Sequence, residues 1–200
     1  ILMVRYNYEE RGQYAVLLKP RTDSRDGERK IQSRMGLSAS AEYVDEFLKE
    51  ISQTWKEGNK EYSYQGKKVD AVLVDEAQFL SEAEIDTLSD LVDFYNIPVI
   101  CYGLRTDFRN RLFPGSRRLM EIADVIEEVP TVCWCGKRAQ CNTRYANGEI
   151  VREGAQIMLG SNESYVALCR KHYKEGKLWK EAGAENETST RRNCKIMEKE

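Results

Sequence analysis

The chain has 200 residues, of which 41% are hydrophobic and 32% charged, and its 31 basic and 33 acidic side chains leave a formal net charge of −2. This length predicts one large domain, or one medium domain with a small appendage, and the near-neutral charge argues against general nucleic-acid binding, which needs a basic face. No apolar run approaches the ~20 residues that span a bilayer and no signal peptide is visible, so we expect a cytoplasmic protein whose six cysteines are thiols or metal ligands.

The first part of the chain alternates between helical and strand patterns. Residues 1–12 predict the last turns of a helix, with Val4 and Tyr8 on one face. A buried strand is predicted over residues 14–18. The polar residues 19–36 then predict a loop that is too long for a simple connection and is a candidate to close over a ligand.

A helix is predicted next, with Ser38 or Ser40 as its N-cap. Its apolar stripe, in which members are spaced at helical intervals, comprises Tyr43, Val44, Phe47, Leu48 and Ile51. A polar connection over residues 58–68 leads to the following strand.

The apolar run Ala71–Val74 predicts a strand buried on both faces, as in a parallel sheet, and it is followed by two adjacent carboxylates, Asp75 and Glu76. Ligands of open α/β sheets bind beyond the carboxyl ends of the strands. Successive side chains of a strand point to opposite faces, so one acid can hold Mg²⁺ through water while the other takes a proton from an attacking hydroxyl group. That division of labour is typical of phosphoryl transfer. The alternative is two acids at a helix entry, where the helix dipole favours them.

The same alternation continues to residue 129. Ser81 and Glu84 have the spacing of a capping box that opens a helix. A strand over residues 98–104, a helix over 119–125 and a strand over 126–129 are predicted after it. Strands that alternate with helices predict an α/β fold, with a parallel sheet flanked by helices and right-handed crossovers.

The character of the sequence changes at Pro130. Cysteines, glycines and short alternating segments follow, so we predict an α/β domain over residues 1–130 and a small β-rich module over residues 131–174. Residues 175–200 are rich in Glu, Lys, Asn and Thr, which predicts a weakly ordered tail.

Two pairs of metal-ligating residue types lie near the ends of the small module: Cys133 with Cys135, and Cys169 with His172. A module of about 45 residues buries too little apolar surface to fold alone, so a closed Cys₃His zinc site is a natural means of stabilising it. The Cys-x-Cys spacing is tighter than the usual Cys-x₂-Cys, and Cys141 is a competing ligand. The alternative is a set of buried, unligated thiols with His172 as an ordinary surface residue.

Five short stretches resemble the type II thymidine kinases and occur in that family's order. They are Leu73–Leu80, Cys101–Arg109, Cys133-x-Cys135, Gly160-x-Asn162-Glu163-x-Tyr165 and Cys169–Tyr173. The resemblance runs from residue 1 to about residue 174 and points to the bacterial type with the Cys-x-Cys pair. It implies a P-loop NTPase-like sheet with a zinc-bound lasso module, which transfers the γ-phosphoryl group of ATP to the 5′-hydroxyl group of thymidine and so yields dTMP.

The resemblance also implies roles for single residues. Glu76 would be the base that accepts the proton of the 5′-hydroxyl group, and Asp75 would be the Walker B acid near Mg²⁺. The nucleotide- and Mg²⁺-binding residues that it implies are Asp75, Ala77, Gln78, Asp23 and Arg25. The thymidine-binding residues that it implies are Phe79, Leu104, Phe108, Ile157, Met158, Leu159, Gly160 and Tyr165. The sequence departs from the family at Asn142, where many relatives have a threonine near the base.

The family's phosphate-binding loop, Gly-x-x-x-x-Gly-Lys-Ser/Thr, does not occur in these 200 residues. The resemblance implies that this loop precedes Ile1, where its backbone N–H groups and lysine would bind the phosphates. It further implies structural Zn²⁺, ATP and Mg²⁺ as cofactors and a homo-oligomer, a tetramer in relatives, with no nucleic-acid or membrane partner.

Two other functions are compatible with parts of the sequence. One is a zinc-ribbon module that binds nucleic acid or protein, attached to a degenerate ATPase-like domain; the zinc pairs favour it, whereas the charge balance of the chain opposes it. The other is a kinase for a different nucleoside, because contacts from the lasso to the base would be largely main-chain.

Overall fold

The computed structural model describes residues 1–23, 28–33, 36–56, 63–156 and 164–179. The elements of this part of the chain, in order, are α1 (Leu2–Glu9), β1 (Ala15–Lys19), β2 (Lys30–Gln32), β3 (Ser38–Ser40), β4 (Glu42–Tyr43), α2 (Val44–Lys56), β5 (Ser63–Tyr64), β6 (Lys67–Lys68), β7 (Ala71–Val74), a 3-10 turn (Ala77–Phe79), α3 (Glu82–Tyr95), β8 (Val99–Cys101), α4 (Pro114–Ile122), β9 (Cys141–Ala146), β10 (Glu149–Ile150), β11 (Ser164–Leu168) and α5 (Arg170–Glu175).

The chain divides into two compact units. Within the described residues, the first unit comprises residues 1–129 and 152–156, and the second comprises residues 130–151 and 164–179. Residues 152–156 therefore group with the first unit, although they follow β10 in the chain.

The first unit is built on a four-stranded sheet in the order β4-β1-β7-β8, in which every neighbouring pair is parallel. The register pairs Leu17 with Leu73 in the two central strands. Since all four residues of β7 are buried, the predicted α/β fold with a parallel sheet flanked by helices is confirmed.

Alternate residues of the central strands fill two apolar clusters. Val16 and Val72 belong to a cluster that also contains apolar residues of α2 and α3. Leu17 and Leu73 belong to another, against which Val4 and Tyr8 of α1 pack. This alternation explains why β7 reads as an unbroken apolar run: both of its faces are covered.

The predicted start of the helix before β7 is wrong. Residues 30–32 and 38–40 form an antiparallel hairpin, β2 with β3, so Ser38 and Ser40 lie in a strand and cap no helix. Helix α2 instead begins at Val44, directly after β4. A second short hairpin, β5 with β6, lies within the predicted polar connection.

The later part of the first unit departs from prediction at one helix and one strand. Helix α4 spans Pro114–Ile122 rather than 119–125, because Pro114 at its first turn is pre-organised for helix entry. Residues 126–129 form no strand, and the side chains of Ile126 and Val129 are exposed. The capping box at α3 is confirmed, since Ser81 and Glu84 exchange both hydrogen bonds.

The second unit is a three-stranded antiparallel sheet in the order β10-β9-β11, followed by α5. Asn147 and Gly148, at φ 51° and 81°, connect β9 to β10. Two successive positive φ values are what a tight hairpin turn with the native twist requires, and Asn-Gly adopts them readily. No helix in the described part of the chain has both the length and the apolarity to cross a membrane.

Candidate active site and metal centre

The two acids after β7 lie where the parallel sheet ends. The N–H group of Asp75 still donates to the Leu18 carbonyl at 2.9 Å, which continues the pairing with β1. Glu76 then adopts φ 50° and ψ 37°, in the left-handed region. Such a conformation costs about 1–3 kcal/mol in a residue other than glycine and is concentrated at functional sites. The turn is held by the Ala77 N–H group, which donates to the Tyr102 carbonyl at 2.9 Å.

Gln78 lies in this turn with only 1% of its surface exposed. Its Nε2 donates to Oε2 of Glu76, and its Oε1 accepts the N–H group of Leu104 at 3.0 Å. A Cβ atom at Gly103 would lie 2.4 Å from this Oε1, so a glycine is required there to leave room for the Gln78 amide. Gly115 in α4 has the same function behind the turn, because a Cβ there would lie 2.7 Å from the Ala77 and Leu80 carbonyl oxygens.

Acidic groups are concentrated at this edge of the sheet. Burial raises the pKa of Asp75, and the charges of Glu76 and Asp23 raise it further. Repulsion among carboxylates that are partly removed from water is relieved by a bound cation, and carboxylate oxygens are the ligands that Mg²⁺ prefers. The donor set therefore fits a Mg²⁺ site.

Lys19, which is absent from the predicted site, compensates part of this charge. It is fully buried at the end of β1, where its Nζ lies 3.4 Å from Oδ2 of Asp23 and donates to the Lys30 carbonyl at 2.9 Å. A buried lysine requires such partners, because an unpaired charge in the interior is costly. The sequence carries only a weak signal for this pair, a charged residue at the end of an apolar strand.

We expect Asp75→Asn to raise the free energy of unfolding at pH 8 by about 0.5–2 kcal/mol, because it removes a repelled charge and keeps the oxygen that accepts the Glu76 N–H group. The pKa of Asp75 is higher in the folded protein than in the unfolded chain. The ionised Asp75 therefore destabilises the fold fully above the folded-state pKa, and this effect disappears as the pH falls below the ordinary pKa range of Asp. The gain should therefore shrink between pH 8 and pH 4 in Mg²⁺-free urea titrations. Asp93→Asn, an exposed change on α3, should alter stability by less than about 0.5 kcal/mol at either pH.

The loop after β8 contains two of the predicted thymidine-binding residues, Leu104 and Phe108, in different environments. Leu104 is 41% exposed, with its N–H group bound to Gln78 and its carbonyl accepting from Oγ of Ser116 at 2.7 Å. Phe108 is only 1% exposed. Phe79, another predicted thymidine-binding residue, packs edge-to-face against Phe113 at 5.7 Å between ring centroids.

Asp107 anchors this loop and is also absent from the predicted site. Its side chain is buried, and its Oδ1 accepts the N–H groups of Arg109 and Arg111, each at 2.9 Å. Its Oδ2 accepts from the Arg109 guanidinium group and, at 3.2 Å, from Nε2 of Gln156. Burial alone raises the pKa of Asp107, but the hydrogen bonds from Arg111 and Arg109 and the charge of Arg109 outweigh it and lower that pKa. Asp107 therefore joins the loop to residues 152–156.

In the second unit, Cys133, Cys135, Cys169 and His172 bring their four ligand atoms within 4.8 Å of one another. Sγ of Cys133 lies 3.4 Å from Nδ1 of His172, and Sγ of Cys135 lies 4.0 Å from Sγ of Cys169. Tetrahedral Zn²⁺ with ordinary bond lengths implies separations of roughly 3.6 Å for S···N and 3.8 Å for S···S. Three thiols and an imidazole group at these distances fit a closed zinc site.

The surroundings of this metal centre favour ligation. Burial raises the pKa of the Cys133 thiol, but N–H groups of Cys135 and Cys169 and the His172 ring lower it to about 6. The indole ring of Trp134 stacks on the His172 ring, with 4.1 Å between centroids and 5° between planes, and its Nε1 donates to the Lys177 carbonyl. Cys141 is buried in β9 and does not belong to the four-ligand cluster.

The remaining predicted site residues are of two kinds. Tyr165 in β11 is 50% exposed, and its hydroxyl group accepts from Nε of Arg144 at 2.9 Å. Arg25, Ile157, Met158, Leu159 and Gly160 lie outside the described residues, as does most of the predicted tail.

Comparison with known proteins gives consistent matches over most of the chain. A family model described as thymidine kinase matches residues 1–173. A thymidine kinase of Haemophilus influenzae is 45% identical over 179 residues, which is 88% of this chain and 88% of the relative. Thymidine kinases of Legionella pneumophila (strain Paris) and Pasteurella multocida are 44% and 42% identical, over 90% and 88% of this chain and 84% and 88% of their own.

Proposed function

The chain belongs to the thymidine kinase family, and we propose that it transfers the γ-phosphoryl group of Mg²⁺-bound ATP to the 5′-hydroxyl group of thymidine with Glu76 as the general base. The observation that carries this proposal is the pair of acids at the end of β7, one desolvated among carboxylates and the other held by an amide in a left-handed turn.

In the proposed reaction the 5′-oxygen forms a bond to the γ-phosphorus while the bond from that phosphorus to the bridging oxygen of ADP breaks. The hydroxyl proton passes to the carboxylate of Glu76. Asp75 would hold Mg²⁺, with Asp23 beside it and Arg25 at the phosphates. A bound Mg²⁺ ion would neutralise the negative charge that develops on the transferred phosphoryl group.

Thymidine would be bound by residues of the loop after β8 and by the segment that follows residue 156. We assign Leu104 to the nucleoside because it is exposed, whereas Phe108 supports the loop from the interior. Phe79, the main chain of residues 157–160 and Tyr165 complete the set on the strength of the family resemblance. Cys133, Cys135, Cys169 and His172 would hold a structural Zn²⁺.

The direct test is phosphoryl transfer from ATP by the full-length protein, assayed in parallel with thymidine, deoxyuridine and deoxycytidine. We expect dTMP as the main product, with thymidine having the largest kcat/KM of the three. A larger kcat/KM for deoxycytidine would favour a kinase of another nucleoside. Absence of transfer to all three, together with zinc-dependent capture of nucleic acid or protein, would favour the binding-module alternative.

A further inference from the structure

The amide of Gln78 has only one chemically consistent orientation. The N–H group of Leu104 can only donate, so Oε1 must face it, at 3.0 Å. The Nε2 group then faces Glu76, whose Oε2 accepts from it. Gln78 is buried, so both hydrogen bonds are costly to lose.

These two hydrogen bonds join the proposed base to the loop that begins at Leu104. The carbonyl group of Leu104 is also fixed, since it accepts a hydrogen bond from Oγ of Ser116 in α4. Gly103 and Gly115 remove the Cβ atoms that would push the amide and the turn apart. A displacement of Gln78 would therefore move Glu76 relative to Leu104.

We propose that Gln78 is a positioning residue for catalysis, which holds the Glu76 carboxylate at a fixed place relative to Leu104. This inference rests on the proposed role of Glu76 as the base. In this role Gln78 contacts Glu76 and Leu104 rather than nucleotide or Mg²⁺.

The variant Gln78→Glu tests the proposal by replacing the donor with a second carboxylate of the same shape. A carboxylate at position 78 repels the Glu76 carboxylate and removes the hydrogen bond that Nε2 donates to it. We expect kcat to fall by about tenfold or more in this variant, while the thymidine KM changes by less than about threefold.

Gln78→Met provides a second variant that removes both hydrogen bonds without adding charge. We expect kcat to fall by about tenfold or more, while the thymidine KM changes by less than about threefold, because the defect concerns the base rather than binding. Gln13→Glu is the matched control for Gln78→Glu: it makes the same chemical change at an exposed position and should leave kcat and KM unaltered.

The outcomes separate this inference from the proposed function. Wild-type kcat in a folded Gln78→Glu or a folded Gln78→Met overturns the positioning role, while a strongly reduced kcat in Glu76→Gln leaves the proposed base in place. Wild-type kcat in Glu76→Gln overturns the proposed base itself. If Gln78→Glu does not fold, as judged by circular dichroism, the kcat and KM of Gln78→Met decide the question.

Discussion

Glu76→Gln is expected to lower kcat for thymidine by roughly 10²–10⁴-fold, the usual contribution of a positioned base. The amide keeps the size of the side chain and an oxygen that can accept from Nε2 of Gln78, so the left-handed turn should persist. It cannot take the 5′-hydroxyl proton, and the dissociation constant for thymidine should change much less than kcat. Single-turnover transfer from Mg²⁺-ATP and equilibrium thymidine binding measure the two effects separately.

Glu82→Gln is a suitable control, because it makes the same change at an exposed position in the first turn of α3, close in sequence to the site. Its kcat should remain within about twofold of wild type. A kcat near wild type in Glu76→Gln would remove Glu76 from the proposed role and direct attention to Asp75 or Asp23.

The elements that could be predicted from sequence are those whose signals are local. The apolar run 71–74 predicts β7 and its two buried faces because one short segment carries all the information. Likewise, Ser81 and Glu84 predict the start of α3, since the cap is completed within a single turn.

The elements that could not be predicted depend on partners distant in the chain. Residues 38–40 become a strand through pairing with residues 30–32, and nothing in their own polar sequence distinguishes a strand from a helix cap. Val125, Ile126 and Val129 show the converse case, because this apolar segment pairs with no strand among the described residues and is exposed.

The candidate site divides in the same way. Asp75 and Glu76 are adjacent in sequence, and their position after a buried strand predicts a functional pair. The bonds from Gln78 to Leu104 and from Asp107 to Gln156 cross 26 and 49 positions of the chain, so their geometry follows from the tertiary fold alone. The ion pair of Lys19 could not be predicted either, because only the tertiary fold buries Lys19 beside Asp23.

The second large effect is expected on removal of the proposed zinc ion. In the second unit the cysteines are part of the small apolar core, which comprises Cys133, Ala139, Cys141, Leu168, Cys169, Tyr173 and Leu178. Structural Zn²⁺ contributes an apparent ~10–16 kcal/mol in zinc-finger peptides, which is more than so small a core can replace. We therefore expect chelation, or Cys169→Ser, to unfold this unit.

Three measurements should report that unfolding. Metal analysis should fall from about one zinc per chain to near zero. The thiols should become reactive, and Trp134 fluorescence should shift to the red as the indole ring loses its stacking on His172. Cys141→Ser is the matched control, because Cys141 is buried in the same unit but does not belong to the ligand cluster. Full zinc occupancy in Cys169→Ser, or loss of zinc only in Cys141→Ser, would contradict the ligand assignment.

Loss of the proposed zinc ion should affect nucleoside binding rather than the chemistry. Four protein ligands would close a tetrahedral site and leave no position for water or substrate, so the ion would have no part in phosphoryl transfer. Tyr165 belongs to the same unit, and its backbone is paired with Arg144 in the sheet that the metal would stabilise. Each residue that must be reordered on binding costs about 1–2 kcal/mol, and 1.4 kcal/mol corresponds to a factor of ten. If Tyr165 and residues 157–160 bind thymidine as proposed, loosening even a few of them should raise the thymidine KM tenfold or more.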